Sequence, residues 1–205
     1  MCLADDMGLG KTVEALAFME KVRAERPLAH ALLIVPASLL GNWQKEIEHF
    51  TPALSYRILH GKKASELEES AENPTAFLTI TTYGMALRLP ALASHPWDLE
   101  ILDEAQAIKN PGARQTRAIK AIPAGCRLAM TGTPVENNLS NLWSIFDFLN
   151  PGLLGGRLRF RQFVKNLSEG DSDFLPLKRR LAPCLRRRMK TDKKIISDLP
   201  DKVKI

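Results

Sequence analysis

Two short stretches of the sequence hold residue types that can bind a nucleoside triphosphate and activate water against it. Gly10, Lys11 and Thr12 follow one another near the start, as at the end of a phosphate-binding loop, where bare backbone N–H groups wrap the phosphates and the lysine reaches the terminal ones. Farther along, Asp103 and Glu104 are adjacent. Asp103 would hold Mg²⁺ together with the Thr12 hydroxyl and phosphate oxygens, and Glu104 would orient and deprotonate the attacking water.

The surroundings of the first stretch favour a phosphate loop over its alternative, a glycine-rich turn that caps an ordinary helix. Residues 1–4 are apolar and predict the end of a strand, whereas residues 13–22 contain no Gly or Pro and predict a helix. A helix that opens at Lys11 directs its free N–H groups and the positive end of its dipole at an anion. Asp5, however, stands where the loop pattern has its first glycine.

The acidic pair follows an apolar run at residues 99–102, which predicts a strand. The alternative is an exposed acidic pair at the start of a helix, because acids favour helix N-termini. Thr131, Gly132 and Thr133 come after another predicted strand at residues 127–130. Their hydroxyls could report the state of the γ-phosphate to whatever lies opposite, although the same residues would make a good turn anywhere.

The elements that must position these residues alternate along the first two-thirds of the chain. Apolar runs bounded by turn residues predict further strands at residues 31–35, 56–59 and 76–81. The stretches between strands predict helices at residues 39–50, 64–71, 116–122 and 138–149. Strands that alternate with helices predict an α/β fold with a mostly parallel sheet and helices on both faces, which binds ligands at the carboxyl ends of its strands.

The last quarter of the chain differs in charge. The whole chain carries a net charge of +6, and residues 151–205 hold 15 of the 29 Lys and Arg but only 6 of the 23 Asp and Glu. The pattern there predicts basic helices at residues 160–167 and 175–185, so we place a subdomain boundary near residue 151 and expect a lobe at residues 1–150. Such a basic extension could face a polyanion or could be a solvated helix surface.

The composition bounds the class of protein. With 205 residues, of which 45% are hydrophobic and 25% charged, the sequence is ordinary for a globular protein. Its apolar runs are short and broken by charge, so none predicts a membrane span, and the start has no signal-peptide pattern. We therefore expect a cytoplasmic protein with no membrane partner.

Several segments, in this order, resemble signatures of the Swi/Snf-type DNA-dependent ATPases of helicase superfamily two. They read L-A-D-D-M-G-L-G-K-T, L-I-V-P-A-S-L-L-G-N-W, I-T-T-Y-G, L-D-E-A-Q-A-I-K-N, M-T-G-T-P-V-E-N-N-L-S-N-L-W-S, F-L-N-P-G-L-L-G and I-S-D-L-P-D-K. Asp5 at the first loop position is usual in that family. The D-E-A-Q and T-G-T-P-V-E-N segments argue against the RNA-unwinding branch, and the overall pattern is typical of a bacterial member.

The resemblance implies a RecA-like P-loop NTPase lobe with a basic helical extension, which uses ATP and Mg²⁺. Lys11, Asp103 and Glu104 would be catalytic, Thr12 and Asp103 would hold the metal, and Thr131, Gly132 and Thr133 would couple hydrolysis to motion. The nucleotide-binding positions would be Asp6, Met7, Gly8, Leu9, Gly10, Lys11 and Thr12. The track along one strand of double-stranded DNA would be Pro36, Ser38, Asn42, Trp43, Thr82 and Tyr83, although Trp43 could equally be a core aromatic residue of its helix.

The resemblance also implies a second RecA-like lobe, which is missing from this chain and which supplies an arginine to the nucleotide. The chain is thus expected to be the first lobe of an ATP-driven DNA translocase, with weak or no hydrolysis on its own. A non-catalytic nucleotide- or DNA-binding module and a lobe of a strand-separating helicase are the alternatives. In a bacterium, the protein would be associated with the nucleoid, and RNA polymerase or another DNA-bound protein would be its cargo.

The sequence departs from the family pattern at a few positions. Asp6 replaces the usual Glu, and Glu14 stands where Gln is frequent. Residues 186–190 read R-R-R-M-K where the family has Leu-Arg-Arg-Thr-Lys, with Met189 in place of Thr. The role of this last segment is left open by the sequence.

Overall fold

The computed structural model describes residues 1–61, 76–132, 139–169 and 175–190. Its strands are β1 (Cys2–Leu3), β2 (Ala31–Val35), β3 (Tyr56–Leu59), β4 (Leu78–Thr82), β5 (Trp97–Leu102), β6 (Ala124–Met130) and β7 (Leu185–Arg186). The α-helices of these described ranges are α1 (Lys11–Glu25), α2 (Leu40–Phe50), α3 (Tyr83–Arg88), α4 (Arg114–Lys120), α5 (Leu139–Leu149), α6 (Arg157–Glu169) and α7 (Leu175–Leu181). Short 3₁₀ helices join some of them.

The strands form a 7-stranded sheet in the order β3-β4-β2-β5-β6-β1-β7. Every pairing is parallel, so all strands end at the same edge. Strand β2 lies inside the sheet, and all five of its residues are buried, as the apolar run Ala31–Val35 predicts for a parallel strand covered on both faces. The predicted α/β fold with a parallel sheet is confirmed.

Two hydrophobic cores flank the sheet because side chains of a strand alternate between its faces. Leu33 and Val35 of β2 pack in one core with Leu16 of α1 and Trp43 of α2. Leu32 and Ile34 of the same strand belong to the other core, which also contains residues of α3, α4 and α5. Helices therefore cover both faces and leave the carboxyl edge of the sheet for the loops.

The C-terminal part contains the clearest difference from the predicted elements. The helix predicted at residues 175–185 ends at Leu181, and a 3₁₀ turn follows at Ala182–Cys184. Pro183 in that turn has no N–H to continue a helix, and the chain then forms β7, which sequence periodicity did not predict. The helix predicted at residues 64–71 lies outside the described residues.

The described part of residues 151–205 packs on the sheet. Phe160, Leu177 and Leu181 belong to the core that contains Ile34, and β7 pairs with β1. The boundary near residue 151 stays a prediction. Within the described ranges, no helix has both the length and the apolar character needed to cross a membrane.

A buried ion pair joins two neighbouring strands. Glu100 of β5 and Arg127 of β6 are register partners, and Arg127 Nε donates to Glu100 Oε2 at 3.1 Å. The guanidinium also donates to the carbonyls of Phe148 at 2.9 Å and Ile122 at 2.7 Å. Glu100 is fully buried; burial raises its pKa, against the lowering effect of Arg127.

We predict that Arg127→Met lowers the free energy of unfolding by about 3–5 kcal/mol, because it leaves a buried carboxylate without its partner. The loss should be smaller at pH 5.5 than at pH 8. Arg127 lowers the pKa of Glu100, so in the variant this pKa rises further above its value in the unfolded chain. The folded variant therefore binds a proton at Glu100 more tightly than the folded unmodified chain, and it regains stability relative to that chain as the pH falls. Urea unfolding at both pH values measures these differences.

The matched control is Lys21→Met, which breaks an exposed ion pair with Glu25 on α1. It should change the stability by no more than about 0.5 kcal/mol. A loss below about 1 kcal/mol for Arg127→Met would show that the strands do not depend on the pair.

Candidate functional site

The loop after β1 has the backbone conformation of a phosphate cradle. Gly8 and Gly10 have positive φ angles of 82° and 81°, which residues with a Cβ rarely adopt. Gly10 is the N-cap of α1, which begins at Lys11. The free N–H groups of the first turn and the positive end of the helix dipole therefore border the loop, as anion binding requires.

The Lys11 side chain binds backbone carbonyl groups at the start of the loop. Its Nζ donates to the carbonyl oxygens of Asp5 at 2.7 Å and Asp6 at 3.3 Å. An ammonium group has three donors, so one remains for an acceptor such as a phosphate oxygen. The side chain thus supports the loop and adds a positive charge to it.

Asp103 lies at the end of β5 and is held by specific donors. Trp43 Nε1 donates to its Oδ2 at 2.8 Å, and the Glu104 N–H donates to its Oδ1 at 2.9 Å. Burial raises the pKa of Asp103; the Trp43 hydrogen bond and the charge of Lys11 lower it, while the charge of Glu104 raises it. The Tyr83 hydroxyl donates to the Asp103 carbonyl at 2.7 Å, which fixes the backbone at the same point.

Glu104 is connected to the next strand through Gln106. Gln106 Nε2 donates to Glu104 Oε2 at 2.6 Å, and Thr131 Oγ1 donates to Gln106 Oε1 at 2.8 Å. Glu104 has a left-handed backbone with φ 52°, which is uncommon for a residue other than glycine and is often found at functional sites. Because β6 lies between β5 and β1, Thr131 stands between the acidic pair and the loop.

A single cavity of about 420 Å³ borders the loop and the acidic pair. Its lining residues are Met7, Gly8, Gly10, Lys11, Thr12, Val13, Leu39, Asn42, Trp43, Glu46, Asp103 and Glu104. The structure thus brings together most of the predicted nucleotide and catalytic positions. Asp6 and Leu9 lie in the loop outside this lining, and Thr133 is outside the described residues.

The donor set of the cavity suits Mg²⁺. Thr12 offers a hydroxyl, and Asp103 a carboxylate whose two oxygens each accept one hydrogen bond among those above. Each oxygen therefore keeps a lone pair for a cation. Mg²⁺ is commonly bound by one or two carboxylates with phosphate oxygens and waters. In the described part of the chain, no group of three or more His, Cys, Asp or Glu could hold a metal.

The predicted DNA-contacting residues fall into two groups. Ser38 and Asn42 are exposed and Pro36 is half-buried, and all of them follow β2 at the carboxyl edge. The others, Trp43, Thr82 and Tyr83, are buried. Their side chains hold Asp103 or cap a helix, since Thr82 Oγ1 accepts the Met85 N–H at the start of α3. For Trp43, burial favours the alternative of a core aromatic residue.

Two residues of the site, Gln106 and Glu46, were not predicted from the sequence. Gln106 bridges Glu104 and Thr131 through its side-chain amide. Its position two residues after Glu104, and an amide that both donates and accepts hydrogen bonds, could have indicated this role. Glu46 lines the cavity one helical turn beyond Asn42. In the sequence, only its i, i+4 spacing from Asn42 on α2 indicates that the two side chains lie on the same face of the helix.

A known protein family matches the whole chain. The model of the SNF2-related domain matches residues 1–205. The chain belongs to the SNF2-related domain family. The Swi/Snf resemblance inferred from the sequence is confirmed, and with it the RecA-like lobe.

Relatives of this SNF2-related domain are much longer than the chain. The putative ATP-dependent helicase/translocase YwqA of Bacillus subtilis is 39% identical over 98% of this chain and 23% of its own length. The TATA-binding protein-associated factor MOT1 of Saccharomyces cerevisiae is 33% identical over 98% of this chain and 12% of its own. The chain thus spans less than a quarter of these curated relatives.

A solved structure also aligns with this SNF2-related domain. The Sulfolobus solfataricus SWI2/SNF2 ATPase core in complex with dsDNA is 40% identical, with a TM-score of 0.87, over 98% of this chain and 42% of that chain. The fold is therefore that of one part of an ATPase core.

We predict that Trp43→Phe raises the pKa of Asp103 further, because the indole N–H favours the ionised carboxylate. A carboxyl ¹³C NMR titration measures this pKa. The matched control is Trp143→Phe, which removes an indole donor to the Gly155 carbonyl and should leave Asp103 unchanged. An unchanged or lowered pKa in Trp43→Phe would show that the indole does not set the charge of Asp103.

Proposed function

We propose that this domain is the ATP-binding lobe of a Swi/Snf-type motor that moves along double-stranded DNA. The observation that carries the proposal is the shared cavity at the carboxyl edge, which Lys11, Thr12, Asp103 and Glu104 all line. Two relatives support the same activity: YwqA, named as a putative ATP-dependent helicase/translocase, and a SWI2/SNF2 ATPase core in complex with dsDNA.

In the proposed chemistry, ATP binds with its phosphates on the loop and on Lys11. Thr12 and Asp103 would hold Mg²⁺, which when bound would offset phosphate charge during transfer. Glu104 would orient water for attack and accept its proton. Trp43 and the Glu104 N–H fix the Asp103 carboxylate, so the metal-binding group is oriented before nucleotide arrives.

Coupling of hydrolysis to motion is proposed for Thr131, Gly132 and Thr133. The hydrogen bonds from Thr131 through Gln106 to Glu104 support it. A change in the bonding of Glu104 when the γ-phosphate leaves would alter the position of Gln106, and with it the Thr131 hydroxyl at the end of β6. Full activity is proposed to need a second RecA-like lobe that contributes an arginine, whose loss costs roughly 10³–10⁵ in rate in related systems.

The proposed DNA track runs over the exposed residues between β2 and the first turn of α2. Ser38 and Asn42 are exposed there, and Pro36 is half-buried; Thr82 and Tyr83 would contribute through the adjacent backbone. Contacts of this kind reach mainly phosphates, which gives little sequence preference and strong salt dependence. A DNA-bound protein such as RNA polymerase remains the proposed cargo.

We expect Lys11→Ala to weaken binding of a fluorescent ATP analogue at least about 10-fold, because it removes the loop cation. The Glu104→Gln variant should bind the analogue with nearly the affinity of the unmodified chain, because Glu104 is proposed to act on the attacking water and not on the bound nucleotide. Fluorescence titration with Mg²⁺ measures both, and Lys21→Ala on the exposed face of α1 is the control. Equal affinity in Lys11→Ala would contradict the phosphate site.

Ser38→Glu should weaken duplex DNA binding several-fold, because it adds a negative charge to the proposed track. The matched control is Ser94→Glu, the same change at an exposed residue before β5, and thus at the opposite edge of the sheet. Fluorescence anisotropy at several salt concentrations measures both. Equal effects of the two substitutions, or an affinity independent of salt, would contradict the track.

A further inference from the structure

The segment at residues 185–190, which we name the strap, lies along the phosphate loop. It begins with β7, which pairs in parallel with β1. The contact continues beyond the strands: the Ala4 N–H donates to the Arg186 carbonyl at 2.8 Å, and the Asp6 N–H to the Arg188 carbonyl at 3.1 Å. The strap therefore follows the chain from β1 into the loop.

Arg188 is the centre of this contact. Its Nε and one terminal nitrogen donate to Asp5 Oδ2 at 2.9 and 2.6 Å, and its backbone N–H donates to Asp5 Oδ1 at 2.6 Å. The same terminal nitrogen contacts the Leu9 carbonyl at 3.2 Å and a carboxylate oxygen of Glu14. One guanidinium thus joins the start of the loop, its end and the first turn of α1.

The remaining contacts of the strap also involve acids near the loop. The Lys190 N–H donates to Asp6 Oδ2 at 3.0 Å, and Arg186 donates to Glu14 at 3.3 Å. Lys190 Nζ lies beside Gly8, where it would be 3.3 Å from a Cβ built on that glycine. Asp6 in the loop and Glu14 in the first turn of α1, two positions at which the sequence departs from the family pattern, therefore both bind the strap.

The charges explain why such a strap matters at an anion site. Three carboxylates, Asp5, Asp6 and Glu14, border a loop that is built to bind phosphates, and their field repels an anion. Asp5 is fully buried, so its charge is not screened by water and needs a partner within hydrogen-bond distance. Arg188 is that partner.

We propose that Arg188 is a positioning residue for the nucleotide: it holds the phosphate loop in its binding shape and offsets the loop's acids. The inference rests on the proposed nucleotide function of the same loop. The segment whose role the sequence left open thus has a role at the nucleotide site. The affinity for nucleotide then depends on whether the strap is docked on the loop. By linkage, nucleotide binding stabilises the docked strap by the same factor.

The test is the affinity of the chain for a fluorescent ATP analogue with Mg²⁺, measured well below the unfolding temperature. Arg188→Gln should weaken binding about 10-fold, which corresponds to losing a hydrogen bond between charged groups. The matched control is the neighbouring Arg187→Gln, whose side chain has no partner among the described residues; it should stay within about twofold. Arg188→Lys should remain weak, because an ammonium cannot form the same fork.

Amide hydrogen exchange of the unmodified chain distinguishes the proposed role from a purely structural one, because only the proposed role makes exchange in the strap depend on nucleotide. ATP analogue should slow exchange of the Arg188 and Lys190 N–H groups, which donate to Asp5 and Asp6. If Arg188→Gln does not fold, the hydrogen-exchange measurement on the unmodified chain still tests the inference. Affinity within twofold in a folded Arg188→Gln, or strap exchange that nucleotide does not change, overturns the inference.

The outcomes separate this inference from the proposed function. If the unmodified chain binds no ATP analogue, the proposed function fails, and the inference that rests on it fails too. If the chain binds it through Lys11 and Arg188→Gln binds equally well, only the role of the strap is wrong.

Discussion

The parallel direction of all strands is the constraint on which the rest of the structure depends. Because every strand ends at the same edge of the sheet, the loop after β1 and the acidic pair after β5 can border one cavity although they are about 90 residues apart in sequence. The order of the strands then places Thr131 between them. An antiparallel neighbour would send one of these groups to the opposite edge.

Buried charge is the second feature that organises the molecule, and each instance has its own partners. Asp5 is bound by the strap, Asp103 by Trp43 and a backbone N–H, and Glu100 by Arg127. Unpaired burial of a carboxylate is strongly unfavourable. Two of these acids adjoin the phosphate loop or the cavity, so the groups that compensate them also fix the shape of the proposed site.

The sequence predicts what local pattern and short spacing determine. The apolar runs identify β2 and β3 with the bounds observed, and Gly10 and Lys11 identify the loop. It could not predict contacts between distant residues, because no periodicity links Arg188 to Asp5 or Trp43 to Asp103. For the same reason β7 was missed: a strand of two residues is too short to show a pattern.

We propose that one edge of the sheet binds both the triphosphate and its metal. The most direct measurement is a crystal structure of the chain with a non-hydrolysable ATP analogue and Mn²⁺ in place of Mg²⁺, since the anomalous signal of manganese locates the metal. We expect phosphates on the N–H groups of residues 8–12 and manganese beside Thr12 and Asp103. Phosphates bound elsewhere, or manganese away from both side chains, would contradict it.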